Sequence, residues 1–121
     1  MNLPARRKPA RSGIERTEAV RECYGHRKWI RGHTCSVPGC QGGPIECAHV
    51  QGSPVVPYED RGGLQKKASD KWTYPLCADH HAESHRIGHD TFDRRHGIDR
   101  AKIAAALFQR SPHRHKFNQG E

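Results

Sequence analysis

A small α+β domain stapled by bound metal is the fold class this chain predicts, and three observations predict it. Hydrophobic residues make up only 33% of the 121 residues and mean hydropathy is -0.97, so a large apolar core is excluded. Five cysteines and ten histidines are present instead, and an odd cysteine count fits poorly with a disulfide framework. Short strand-like runs alternate with helix-like ones, with no internal repeat. The chain shows no secretory apolar region and no apolar run able to span a bilayer, which leads us to expect no membrane partner and a reducing, cytoplasmic location. A formal net charge of +8 points to polyanions as partners.

Residues 1–13, MNLPARRKPARSG, have the composition of a disordered basic arm. From Ile14 to Arg31 no proline occurs, and Val20, Tyr24 and Ile30 fall loosely at helical spacing, which predicts an amphipathic helix weakened at Gly25. Pro38-Gly39 and Gly42-Gly43-Pro44 then punctuate a turn that feeds a short strand over Pro44 to Val50. Residues 51–71 are rich in Gly, Pro and Lys without periodicity and read as a long functional loop. KWTYPLC is a second strand-like run. It leads into DHHAESHRIG, a short helix with Asp79 as the expected N-cap and Gly88 as its stop. Ile98 to Phe108 predicts an alanine-rich helix whose Leu107 and Phe108 cap the core, ahead of a basic tail over 111–121. Trp29 and Trp72 read as packing residues, and His89, His96, His113 and His115 as solvated ones.

Cys35 and Cys40 enclose a Pro-Gly turn as C-x4-C, and Cys77 with His80 supplies a C-x2-H pair; two short-range pairs on separate turns are a structural zinc pattern. Cys23 and Cys47 are left as buried thiols, with Cys47 a substitute ligand. His81 and His85 are four apart and share one helical face, which suits a second, more open divalent-ion site; His80 is rotated about 100° from His81. The alternative spacing, in which Cys77 and His81 share the zinc and His80 is solvated, stays open at this level. His49, at the end of the first strand, is read as a general base brought next to His81 and His85 by the hairpin.

The order C-x4-C, A-H-V, Gly-rich loop and PLC-x2-HH-x3-H resembles the HNH nuclease superfamily, also called ββα-metal or His-Me finger nucleases, in its zinc-stapled bacterial and phage branch. Within that branch it is similar to the prophage group of recombination-enhancement nucleases, and the likeness covers about residues 33–99. The resemblance implies a ββα-metal finger with flanking helices, in a nuclease domain over residues 14–110. It implies His49 as general base, His81 and His85 as ligands of a catalytic Mg2+, Mn2+ or Zn2+, and Cys35, Cys40, Cys77 and His80 as ligands of the structural Zn2+. The activity implied is a metal-dependent DNA endonuclease, with a recombinase filament as a further partner. Arg61, Lys66, Lys67 and Lys71 would track the DNA backbone. The sequence departs from the family at two places: Ala48 stands where a metal ligand is expected before the base, and the central Asn is missing. Asp70 is the nearest polar residue to take that Asn's part, orienting His49 or binding metal. A non-catalytic zinc-stabilised nucleic-acid-binding module is the competing expectation.

Overall fold

The computed structural model describes residues 21–63 and 67–118; the basic arm, the first part of the helix expected from Ile14, and Lys66 lie outside them. Within the described residues the chain is a small α+β fold. It runs α1 (Tyr24–Arg31), β1 (Ile45–His49), a 3-10 turn (Tyr58–Asp60), β2 (Thr73–Cys77), α2 (Ala78–Ile87), α3 (His89–His96), α4 (Arg100–Arg110) and a last 3-10 turn (Arg114–Asn118).

β1 and β2 pair antiparallel, with Ile45 opposite Cys77 and His49 opposite Thr73. A two-stranded sheet is marginal by itself, so both of its faces must be covered. Strand alternation sends Ala48, with Tyr74 and Leu76 from β2, to one face, where they pack with Phe92 of α3 and Ala101 and Ala104 of α4. Cys47 and His49 emerge on the other face, toward α1 and the loop that carries Asp70. β2 is buried along its whole length, whereas β1 keeps Glu46 in solvent.

The expected strand and second helix are found within a residue or two at each end. Two features go beyond what the sequence predicts. Phe92 lies in a separate helix, α3, bounded by Gly88 (φ 96°) and Gly97 (φ 68°), positive angles that glycine adopts without Cβ strain. Its sequence HDTFDRRH buries Phe92 alone, so it offers no apolar period to read. The tail is the second: Ser111 and Phe117 are buried, and the chain folds back onto α1. Phe117 meets Phe108 with ring centroids 5.4 Å apart, and Ser111 Oγ lies 2.8 Å from His26 Nδ1. Gly25 follows from this closure, because a Cβ there would stand 2.6 Å from the His113 ring.

Arg100 ties the layers together. Its buried guanidinium donates to Asp93 (2.8 Å), Asp90 (3.0 Å) and the Gln51 carbonyl (2.6 Å), joining α4 to α3 and to the chain just beyond β1. Asp99 caps α4 by accepting from the Lys102 amide at 3.2 Å. No helix among the described residues is long and apolar enough to cross a membrane.

Candidate functional site

The first cluster is built from two turns docked on β2. The Cys40 amide donates to the Val37 carbonyl at 3.0 Å, Gly39 takes the positive φ of 80° that the turn requires, and Ser36 holds the turn to the Pro75 carbonyl through its amide (2.9 Å) and hydroxyl (2.7 Å). Cys35, Cys40, Cys77 and His80 thereby bring one ligand atom each within 4.8 Å of one another. Cys40 Sγ is 3.9 Å from Cys77 Sγ, and His80 Nδ1 is 3.4 Å from Cys35 Sγ and 3.3 Å from Cys77 Sγ. A tetrahedral zinc with its usual bond lengths sets edges of about 3.8 Å between sulfurs and about 3.5 Å between sulfur and nitrogen, so the donor set fits such an ion. The Gly42 amide, 3.4 Å from Cys40 Sγ, holds that thiol below its ordinary pKa and favours the thiolate a metal needs. Cys77 also caps α2, its sulfur accepting from the His80 amide at 3.4 Å; this displaces the expected Asp79 cap, which sits in the first turn. The spacing ambiguity resolves here: His80 joins the cysteines, and His81 turns elsewhere.

His81 turns toward β1. Its Nδ1 lies 2.7 Å from Glu46 Oε1, and its Nε2 lies 3.3 Å from His85 Nε2. Two imidazole nitrogens sharing an ion at about 2.1 Å stand about 3.0–3.4 Å apart, so this pair has the bite of a divalent-ion site. Glu46 was not singled out from the sequence. Strand period was the available signal, since Glu46 shares its face with Ala48, the position that lacks the expected ligand.

His49 stands apart from that pair. Its Nε2 is 2.8 Å from Asp70 Oδ1, and Asp70 Oδ2 accepts from the Cys23 amide (2.8 Å) and from Arg27. Burial alone would raise the Asp70 carboxyl; the bonds from His49, the Cys23 amide and Arg27 outweigh it and hold the group below the usual carboxylate range. No hydrogen bond joins His49 to His81 or His85, and alternation along β1 sends Glu46 and His49 to opposite faces. The expectation that the hairpin sets His49 directly against the histidine pair is therefore corrected by the pleat of the strand.

A cleft of about 1140 Å³ opens at His49, with Arg27, Arg61 and Lys67 among its walls. Arg61 also braces the loop by donating to the Val56 carbonyl at 2.9 Å, and Arg21 bonds the carbonyls of Glu59, Arg61 and Lys67. Lys71 is elsewhere: its ammonium lies 5.0 Å above the Phe108 ring, the cation of a packing contact. Cys23 is buried, and Cys47 lies outside the sulfur cluster with its thiol pushed up to about 11 by burial.

Two of the histidines read as solvated, His89 and His96, prove structural, whereas His115 is exposed as expected. His96 Nε2 is 2.8 Å from Glu83 Oε1, and its ring packs 5.0 Å from that of His80. His89 continues the line of His81 and His85, its ring 5.1 Å from that of His85, and burial depresses its pKa. The two tryptophans pack as expected, with Trp72 Nε1 donating to Asp60 at 2.8 Å and the Trp29 ring 4.5 Å from that of His33. No family model, curated protein or solved structure matches the chain.

Proposed function

We propose that the chain is a metal-dependent endonuclease of the ββα-metal type, hydrolysing DNA phosphodiesters. The observation that carries this reading is the Asp70-held His49 at a cleft walled by Arg27, Arg61 and Lys67. The succession of β1, β2 and α2, with a histidine pair on the helix, supports it, as does the likeness over residues 33–99.

With Nε2 committed to Asp70, Nδ1 of His49 is the nitrogen left to take a proton from water. Asp70 is kept ionised by its bonds from His49, the Cys23 amide and Arg27, and stabilises the imidazolium that results. His81 and His85 would hold the cation, which when bound supplies Lewis-acid stabilisation of the phosphorane charge and the leaving oxygen. Among the described residues β1 has a single strand partner, so a phosphodiester lying along its other edge would meet both faces of the strand. Arg61 and Lys67 contribute affinity for phosphate without sequence choice.

Supercoiled plasmid incubated with zinc-loaded protein and Mg2+, Mn2+ or added Zn2+ tests the reading. Nicking that falls by roughly 100-fold in His49→Ala, within the range for loss of a general base, is the expected result. Undiminished nicking in that variant would remove His49 as base. DNA binding with no nicking under any metal would favour a non-catalytic zinc-stabilised module.

A further inference from the structure

Glu46 stands two residues before Ala48 on the same face of β1, opposite Leu76 in the pairing. Its carboxylate is 2.7 Å from Nδ1 of His81, the nitrogen that faces away from His85, and the two Nε2 atoms meet at 3.3 Å on the other side of the His81 ring. An imidazole that donates Nδ1–H to a carboxylate keeps its lone pair at Nε2, so the bond selects the tautomer able to bind an ion between the two rings. The same bond fixes the ring plane and raises the basicity of the binding nitrogen, as outer carboxylates do for metal-bound histidines. Glu46 is 48% exposed in its side chain. As a plain surface ion pair it would add little to stability, so its effect should appear in ion binding rather than in folding.

We propose that Glu46 is a positioning residue for a divalent cation held by His81 and His85, acting through the Nδ1–H of His81. This rests on the reading of His81 and His85 as an ion-binding pair. It makes the site a two-nitrogen bite with an outer carboxylate, a donor set that binds Co2+, Ni2+ and Zn2+ more tightly than Mn2+, and Mn2+ more tightly than Mg2+.

The experiment has two readouts on the full, zinc-loaded chain. Long-range nitrogen–proton NMR reports the His81 tautomer without added cation, and calorimetric titration with Mn2+ reports affinity. Wild type should show the Nδ1–H tautomer of His81. Glu46→Ala should lose that preference and weaken Mn2+ binding by roughly 10–100-fold, with bound zinc and circular dichroism unchanged. Glu46→Gln, whose carbonyl still accepts from Nδ1–H, should lose less. An Nε2–H tautomer in wild type, or Mn2+ affinity indifferent to Glu46→Ala, would overturn the role of Glu46 alone. Absence of Mn2+ uptake by wild type, with His81→Ala indistinguishable from it, would overturn the ion-binding pair and this role with it.

Discussion

His49 and Asp70, twenty-one positions apart, meet through Nε2 and Oδ1 at 2.8 Å, and the same carboxylate holds α1 through Arg27 and the Cys23 amide. One buried group thus joins the candidate base to the helix that covers it. Asp70→Asn should cost about 2 kcal/mol by urea unfolding at pH 7, the scale of bonds to a charged group. Because the folded carboxyl lies below its ordinary range, this stabilisation is present above the unfolded pKa of about 4 and is lost as pH falls through the folded value. The variant should therefore lose that part of the acid dependence.

His26 provides a second pH dependence of opposite chemistry. It is fully buried, its Nε2 has no hydrogen-bond partner among the described residues, and burial lowers its pKa from 6.5 to about 4. The unfolded chain takes up this proton first, so the stability contributed by the neutral ring is complete above pH 6.5 and declines as pH falls toward 4. Wild type should lose about 2 kcal/mol between pH 8 and pH 5 through this group. Thermal unfolding of His26→Gln beside wild type isolates the effect, since both proteins share any acid loss of metal; equal pH profiles would refute it.

Elemental analysis of purified protein should find one tight zinc per chain at Cys35, Cys40, Cys77 and His80. Chelation should abolish cooperative unfolding, because the knuckle turn and the start of α2 are both built on these ligands. Cys77→Ser should do the same, whereas Cys47→Ser should leave zinc content unchanged.

Gly25→Ala would ordinarily stabilise a helix by up to about 1 kcal/mol. Here the new Cβ meets the His113 ring at 2.6 Å, so the ring must leave its place and the substitution should destabilise. Added to His113→Ala, the same change should regain its stabilising sign, a reversal that a double-mutant cycle measures directly.

Lys67 and Lys71 should separate in DNA binding. Lys67→Ala should weaken binding uniformly across sequences and reduce the salt slope by about one. Lys71→Ala should leave the slope unchanged, since its ammonium sits over Phe108.

The sequence by itself determined what depends on short spacing. C-x4-C around a Pro-Gly turn and a cysteine at a strand end bring thiols together within a few residues, so the three cysteines of the cluster and the two strands were legible before any coordinates, while the choice of His80 over His81 was left to the fold. His81 and His85, four apart, were bound to share a helical face. Tertiary structure alone decided the partners. Only the pairing of Glu46 with Leu76 and the packing of α2 against β1 set the Glu46 carboxylate on His81, and only the closure of the loop carried Asp70 to His49. The pleat of β1 then parted His49 from the histidine pair. α3 and the folded-back segment over 111–117 were equally hidden, for each contributes one buried phenylalanine to a core drawn from distant segments, and a single apolar residue has no period.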